Sequence, residues 1–489
     1  MLKTSALLLL CLFCCLPLLA GDSHAPSGQN IQPEAASCSS IHATTSSEQA
    51  GKASVAPGSA SAGCDNAGSE SEDPVNAPAA YLNARLPHWL RFSGEFRNRE
   101  EGRTAYGFTP GKDDVYGLTR LRLGFEIIPN SWFHAFVQAR DAEVIGANPK
   151  NVSSSMKDVF DLNQAYIEFR NGERGWFSLK TGRQELYFGD EHLIGRSNWS
   201  NASRSFDATR LTLGTQNLGA VLDVFAASVV KNYPTSSDKV QPGHNFYGVN
   251  LALTKLAPKA TIEPYVYLKT VPSVTGADKK SGNERLYTTG LRWAGTVPGG
   301  FDYRARYSFQ SGHYADNSIH AWAWHAIFGY TIPKSRFEPR FSIEYSYASG
   351  NKAIGGPVIG TFDLLYPTTH QWGRITDLFG EENIADLKPG FDFRPAKRMK
   401  VYFAVSDLSL ASRYDSLYDS TGAVSVKVPK GGALSRDIGK EADVYGTYDV
   451  NRRLQIGTGF GHLIAGQFLK QASPGGNSSY PYVFLDYHF

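Results

Sequence analysis

The chain has 489 residues, a formal net charge of +3 and a mean hydropathy of −0.30. Charged residues make up 19%, below the roughly 25% of ordinary soluble domains, whereas aromatic residues reach 12%. Beyond the N-terminus no uncharged apolar run approaches the roughly 18–20 residues of a membrane helix, which excludes a helical transporter. Five cysteines exclude a scaffold built from disulfides.

The first twenty residues are typical of a secretory signal peptide. Lys3 precedes an apolar stretch from Leu7 to Ala20 that is too short for a stable membrane span. We expect cleavage after Ala20, so that residues 1–20 are removed. Three of the five cysteines leave with this segment, and the protein leaves the cytoplasm.

Residues 21–85 are predicted to be a disordered linker. The segment is rich in Ala, Ser, Gly and Pro, and residues 26–80 contain no Phe, Tyr or Trp and carry a net charge of −5. Such a composition buries too little apolar area to offset the entropy of ordering. Cys38 and Cys64 remain here, either as a disulfide or as two incidental thiols.

From residue 86 to 489 the pattern changes to alternation of apolar and polar residues. In Phe301–Gln310 the aromatic residues take one face and the charged residues take the other, and residues 337–347 and 482–489 repeat this pattern. About sixteen to eighteen such segments of about 9–12 residues follow one another, and no sustained helical periodicity interrupts them. Turns are predicted at 127–132 and 294–300. The region is therefore predicted to be an all-β, antiparallel sheet.

Three features favour a transmembrane β-barrel over a soluble sandwich. The segments have the length of membrane strands, aromatic residues crowd the strand ends as at two membrane interfaces, and the polar face carries full charges. The chain also ends in an alternating strand at Phe489, which resembles the signal that outer-membrane barrel-assembly machinery recognises. We expect an outer-membrane barrel in contact with lipid; the alternative is a secreted soluble β-rich carbohydrate-binding protein.

The charge of residues 81–489, about +8, points to anionic solutes. Arginines recur on the polar face, and rings of arginine in a lumen attract carboxylates and phosphates. The predicted pore residues are Arg97, Arg122, Arg140, Arg210, Arg292, Arg304, Arg306 and Arg340. In the alternative, these arginines only neutralise Glu95, Glu126, Glu168 and Glu344 on neighbouring strands. Tyr265, Tyr267, Trp322 and Trp324 are expected on the same polar face, where they stack on sugars or simply pack.

Three stretches carry a family resemblance. The first runs over 182–195, 198–201 and 204–211, the second over 362–370 with 373, 377–380 and 383–384, and the third over 441–444 with 459–468. Together they resemble the alginate-export family of outer-membrane porins, and the resemblance extends from about residue 88 to 489. Its motif residues are Gly182, Gln184, Asp190, Trp199, Arg204 and Asp207.

The resemblance implies a monomeric 18-stranded barrel in the outer membrane of a Gram-negative-type bacterium. It implies an Arg-rich constriction that passes an acidic polysaccharide such as alginate, with Arg183 of the Gly-Arg-Gln motif as the leading pore residue. The long linker is a departure from the alginate exporters, so the solute is an anionic saccharide, a neutral one or a small anion. No nucleic acid is expected as a partner.

The segment around 349–394 is too long for a turn and is predicted to be a loop folded into or over the lumen. Its acidic residues and His370 follow no metal-ligand spacing, so we expect no metal and no cofactor. Hydrolase and phosphate-loop motifs are missing from the sequence. Asp190, Glu191 and His192 are interpreted as a structural hydrogen-bond network, and an outer-membrane enzyme or adhesin on the same barrel is the alternative.

Overall fold

The computed structural model describes residues 78–171, 175–215, 217–276, 279–368, 370 and 374–489. The predicted signal peptide, nearly all of the predicted linker and both linker cysteines lie outside these residues. The strands are β1 Leu90–Arg103, β2 Asp114–Asn130, β3 Phe133–Ile145, β4 Asp158–Arg170, β5 Phe177–Gln184, β6 Phe206–Thr215, β7 Ala220–Lys231, β8 Lys239–Leu253, β9 Ala260–Thr275, β10 Ser281–Val297, β11 Phe301–Tyr314, β12 Asn317–Thr331, β13 Arg340–Ala348, β14 Val358–Ile359, β15 Ile384–Phe393, β16 Met399–Leu410, β17 Leu417–Tyr418, β18 Val424–Val426, β19 Asp437–Asp449, β20 Leu454–Ala465 and β21 Ser478–His488.

Eighteen of these strands form one closed antiparallel barrel. Each long strand pairs with the next one along the chain, and β21 returns to β1 in the register Phe484↔Arg99. The short strands β14, β17 and β18 belong to loops. Closure satisfies the backbone hydrogen bonds of both edges, which is the condition for crossing hydrocarbon with strands. The predicted all-β barrel of about 18 strands is confirmed.

Alternation along each strand separates a charged interior from an apolar exterior. On β1, Glu95 and Arg97 are buried, whereas the Phe96 side chain between them is 40% exposed. The same alternation on β12 buries His325 and leaves Trp322 exposed. The prediction that Trp322 and Trp324 lie on the polar face is therefore wrong, because both alternate with the buried residues of β12.

The two ends of the barrel differ in the length of their connections. One end has short turns such as 131–132 and 298–300, in agreement with the predicted turns, and the other has long connections over 185–205, 349–383 and 411–436. Long connections face the cell exterior in outer-membrane barrels. The predicted loop 349–394 extends too far toward the C-terminus, because residues 384–393 form β15 in the barrel wall.

Two short helices complete the described chain. Helix α1 (Pro78–Asn83) lies within the predicted linker, just before β1, and α2 (Gln467–Ala472) lies between β20 and β21. None of the helices in the described ranges is long and apolar enough to cross a membrane.

Candidate functional site in the barrel lumen

Two long connections fold into the barrel and pair with each other. We call them loop A (residues 185–205) and loop B (residues 349–383). A parallel bridge joins Ile194 to Tyr366, and the Gly195 amide donates to the Tyr366 carbonyl at 2.8 Å. Arg204, a motif residue, donates through Nη1 to the Pro367 carbonyl at 2.9 Å. The buried Ile194 and Phe362 contribute to a shared apolar cluster, so that the two loops form one inserted layer.

Loop A is anchored to the wall by arginines of β1 and β2. Arg97 and Arg120 donate to the carbonyl oxygen of Asn198 at 2.8 and 2.9 Å, and Arg99 donates to that of Trp199 at 2.7 Å. A guanidinium has five donors in a planar fork, so one side chain can serve several carbonyls at once. The wall arginines therefore anchor loop A through hydrogen bonds in addition to placing positive charge in the lumen.

Trp199 is the aromatic centre of this contact. Its ring stacks on His370 with centroids 3.9 Å apart and an interplanar angle of 1°, and the Arg99 guanidinium carbon lies 3.9 Å from the ring centroid. The edges of Tyr482 and Phe484 pack beside it. The motif tryptophan thus joins loop A, loop B and the wall strands β1 and β21.

Most of the predicted arginines face the lumen, and most of them have a carboxylate partner there. Arg122 pairs with Glu95 at 3.2 Å, a carboxylate it shares with Arg120. The other pairs are Arg140 with Asp158 and Asp238, Arg210 with Asp223, Arg292 with Asp190 and Glu263, Arg306 with Glu381, and Arg340 with Asp302 and Asp392. Arg304 lies on the same inward face of β11, between Asp302 and Arg306.

The predicted neutralising partners are only partly correct. Glu95 does pair with wall arginines, but Glu126 and Glu168 contact His134 at 3.0 Å, and Glu344 contacts His325 and Lys388 at 3.0 and 3.2 Å. Most partners of the remaining arginines lie on other wall strands, such as Asp223 on β7 and Glu263 on β9, whereas Asp190 and Glu381 come from loops A and B. Sequence alternation carries no information about these long-range partners.

Arg183 does not face the lumen. Register pairs Gln184 with the buried Phe206, and Gly182 with the buried Ala208, so the positions between them point outward. There Arg183 forms an ion pair with the motif residue Asp207 at 2.8 Å. The geometry therefore does not support the expectation that Arg183 is the leading pore residue, because it lies one residue out of phase with the inner face.

Gly182 and Gln184 explain why the Gly-Arg-Gln motif has this sequence. Gly182 has a φ of 122°, and a Cβ at this position would lie 2.3 Å from the Ala165 carbonyl oxygen. Gln184 is buried and donates to the Ala208 carbonyl at 3.0 Å. The motif thus specifies the point at which β5 leaves the wall for loop A.

The cluster Asp190–Glu191–His192 spreads over three separate contacts. Asp190 lies 3.2 Å from Arg292, Glu191 accepts from Thr368 Oγ1 at 2.8 Å, and His192 Nε2 lies 2.7 Å from Glu381 Oε1. Burial, with Arg306 nearby, lowers the pKa of His192 to about 4. No two members of the cluster converge on a common point, and the arrangement is a set of loop anchors.

The buried tyrosines on the inner face pack against each other. Tyr265 and Tyr267 stack with ring centroids 5.0 Å apart, and their hydroxyls bond Ser308 and Asn250 at 2.8 and 3.0 Å. Both belong to the apolar cluster that supports loops A and B. This geometry favours packing over a sugar-stacking surface at this position.

An inner pocket opens at the end of the barrel with short turns. It has a volume of about 90 Å³ and lies between Arg97, Trp199 and the β19–β20 turn. Its further lining residues are Asn198, Asp449, Asn451, Arg452, Arg453, Leu454, Gln455, Phe484, Asp486 and His488. A solute arriving from this side meets Arg97 together with Asn198 and Trp199 of loop A.

Several residues that line the lumen are not among those predicted from the sequence. Arg120 lies two positions before Arg122 on the same face of β2, so alternation alone would have identified it. Asp363 and Glu381 of loop B, which contact Lys269 and Arg306, carry no such signal. Among the described residues, no group of three or more His, Cys, Asp or Glu side chains is arranged to hold a metal ion.

Comparisons with known proteins agree with this architecture. The family model described as alginate export matches residues 88–483. Among solved structures, the barrel is similar to Pseudomonas aeruginosa OpdO (14% identity, TM-score 0.56, covering 83% of this chain and 99% of that one). It is also similar to the P. aeruginosa outer membrane protein OpdK (11%, 0.55, 82% and 98%) and to OccK11 (12%, 0.51, 82% and 96%). No curated protein sequence matches the chain.

Proposed function

Because the chain belongs to the alginate export family, we propose that this outer-membrane barrel is a channel that passes anionic saccharides through a lumen lined by arginine. The family and the fold are those of a transport channel rather than of an enzyme class. The observation that carries the proposal is the concentration of inward arginines around the pocket and loop A, beginning with Arg97. Arginine pairs with carboxylates in a bidentate manner, which suits a chain of uronate units.

Passage requires that the layer formed by loops A and B shift. Its carbonyl groups and carboxylates occupy guanidinium donors that an anionic solute would otherwise engage, as with Glu381 on Arg306 at 2.9 Å. An incoming polyanion can exchange for these internal carboxylates with little change in the number of hydrogen bonds. The proposed channel is therefore closed by its own acidic groups and opened by competition.

Ion selectivity in planar bilayers tests the charge of the lumen. We expect the reversal potential in a KCl gradient to indicate anion selectivity, and Arg97→Gln to reduce the ratio of anion to cation permeability severalfold. Arg183→Gln is the matched control, because its side chain points outward and its loss leaves the lumen unchanged. Cation selectivity, or equal shifts in both variants, would contradict the proposal.

The identity of the solute is tested by current block. Oligomers of mannuronate added on the side of the short turns should block the current at lower concentration than neutral glucose oligomers of equal length. Arg97→Gln should raise the blocking concentration of the acidic oligomer only. Equal block by both oligomers would indicate a neutral saccharide channel instead.

A further inference from the structure

Strand register arranges the outward side chains of β5–β12 into rows. We call the row nearest the end with long connections the rim row: Arg183, Asp207, Ser228, Asn245, Thr270, Arg285, His313 and Ser318. Every member is polar. An entirely polar row on the outer face of eight neighbouring strands marks the level at which the barrel leaves hydrocarbon.

Toward the short turns, the outward side chains of β7–β10 become apolar, whereas Thr181, Thr209, Ser311 and His320 keep the next row polar on the flanking strands. One step down, about 7 Å along the strands, Tyr247, Leu268 and Tyr287 lie side by side. A further step brings Val224, Val249 and Val266 into register. On β7–β10 the change from polar to apolar surface therefore occurs between one outward residue and the next.

A groove crosses this boundary on the outer surface. Its apolar part has a volume of about 570 Å³ and lies over β6–β10, where Ala226 is flanked by the larger Leu211, Val224 and Tyr247. Its upper part shares Tyr247 and Leu268 and continues to Thr270, Asn283 and Arg285. These two adjoining depressions share Tyr247 and Leu268 and together extend from the apolar wall to the rim row.

Arg285 is an uncompensated charge at the head of this groove. It is exposed, and it makes no hydrogen bond or ion pair with any residue in the described ranges. By contrast, Arg183 is paired with Asp207 at 2.8 Å, and Lys440 on β19 is paired with Asp407 at 2.9 Å. Beside Arg285, the His313 ring lies within hydrogen-bond distance of the Asn283 side chain, with Nε2 and Oδ1 3.1 Å apart. The imidazole adds to the polar surface of the rim row.

We propose that this groove binds one phosphorylated lipid of the outer leaflet. The acyl chains lie along Ala226, Tyr247 and Leu268, and a phosphate group meets Arg285, with Thr270 and His313 within the same row. An exposed arginine at the polar end of an apolar groove complements the charge of an anionic lipid whose chains and head group are arranged in this order. The site is on the outside of the wall and is independent of the lumen.

Native mass spectrometry of the detergent-purified protein tests the site, with bisphosphorylated hexa-acyl lipid A as the probe. We expect one lipid per barrel, and Arg285→Glu should lower the bound fraction about tenfold. Ala226→Trp, which fills the groove without changing charge, should lower it as well. Lys440→Gln on β19 is the control at the same end of the barrel but away from the groove, and it should bind lipid A as the wild type does.

Three outcomes would overturn the proposal. They are equal lipid retention in Arg285→Glu and the wild type, equal retention of phosphatidylcholine and lipid A, and a dimer in place of a lipid-bound monomer, which would show that a second copy of the chain covers the groove. Each variant's heat-modifiable migration on gels verifies that the barrel is folded. Channel selectivity should be the same in Arg285→Glu and the wild type. The proposed lipid site and the proposed channel function are therefore tested independently.

Discussion

At the scale of single residues, the buried arginines of β1 and β2 connect the wall to the inserted layer. Arg120 is fully buried and contacts Glu95 together with the carbonyls of Asn198 and Ser200, the latter two at 2.9 and 3.1 Å. Burying a charge is unfavourable unless its hydrogen bonds are satisfied. These carbonyls satisfy the guanidinium in a way that a single ammonium group could not.

Arg120→Lys should therefore release loop A while preserving the net charge. The lost donors leave buried carbonyls unpaired, at a cost of about 1–3 kcal/mol. We expect faster proteolytic cleavage within 196–204 and a lower unfolding temperature in detergent. Arg91→Lys, at an exposed position that bonds only the Leu90 carbonyl, should behave as the wild type, and equal cleavage of the two variants would refute this role.

Gly182→Ala tests the strained exit from β5. With φ at 122° and the Ala165 carbonyl 2.3 Å from an added Cβ, either the backbone or β4 must move, so we expect destabilisation by about 1–3 kcal/mol. Gly356→Ala serves as the control, because its Cβ would meet Ala353 only at 3.7 Å. The measurement is the temperature at which the folded band converts to the unfolded band on gels.

The pH dependence of stability should reflect Glu382. Burial, reinforced by Asp363, raises the pKa of Glu382 to about 9 in the folded protein from 4.5 in the unfolded chain. Between these values the folded state binds the extra proton, so its stability falls as the pH rises through this interval. Each pKa unit corresponds to about 1.4 kcal/mol.

Glu382→Gln should remove most of this loss of stability with rising pH. The amide keeps the size and the neutral charge of the protonated acid, so we expect the unfolding temperature to change less between pH 5 and pH 9 than it does in the wild type. Glu143→Gln, at a partly exposed ion pair with Lys157, is the control and should retain the wild-type dependence. A fall of the same size in Glu382→Gln would exclude Glu382 as its source.

At the scale of elements, ion pairs to the wall and to loop A are part of what holds loop B in the lumen. Asp363 pairs with Lys269, and its backbone amide and carbonyl both bond the side-chain amide of Gln310 at 2.8 Å. Glu381 pairs with Arg306 and His192. Burial raises the pKa of Glu381, but His192 and Arg306 oppose burial and hold it below the usual range. Ion pairs therefore contribute to holding loop B in the lumen, and an ionic solute can compete for them.

Removing such a fastening should make the channel fluctuate. In Glu381→Gln the ion pair with Arg306 is lost, so we expect more frequent transitions between conductance levels in single-channel recordings and a higher mean conductance. Glu143→Gln is again the control, since it lies on the wall away from loop B. Unchanged recordings would show that loop B does not obstruct the current.

At the scale of the whole molecule, the pairing of β21 with β1 closes the barrel, and Phe489 extends this pairing at its end. Phe489 exchanges backbone hydrogen bonds with Gly94 at 2.7 and 2.9 Å, and its ring fills the space in which a Gly94 side chain would lie, 2.3 Å from an added Cβ. The glycine on the first strand and the aromatic residue at the end of the chain thus fit each other.

Gly94→Val should impair closure between β1 and β21. The valine displaces the Phe489 ring and strains the pairing, so we expect a severalfold smaller heat-modifiable fraction in outer membranes. Val483→Ala on the exposed face of β21 is the control and should assemble normally. Assembly of Gly94→Val at the wild-type level would show that closure does not depend on this contact.

Much of the fold could be predicted because its signal is local. Alternation over a few residues identifies wall strands such as β11, and short turns such as 298–300 follow from Pro and Gly. The candidate site was harder to predict, because the sequence does not show whether a charged residue faces the lumen or the outer rim. Arg97 was predicted from alternation and Arg183 from the family motif, and the register of β5 with β6 shows that Arg183 faces outward.

The sequence by itself determined the class of the protein: an alternating, charge-poor, aromatic chain with a family motif, and hence an antiparallel outer-membrane barrel. The tertiary structure alone decided which carboxylates meet the arginines, that loops A and B enter the lumen, and that Arg285 on the outer face has no ion-pair partner among the described residues. The reason is physical. Periodicity follows from the geometry of one strand, whereas ion pairs depend on register and on loops that return from residues up to 189 positions away, as with His192 and Glu381.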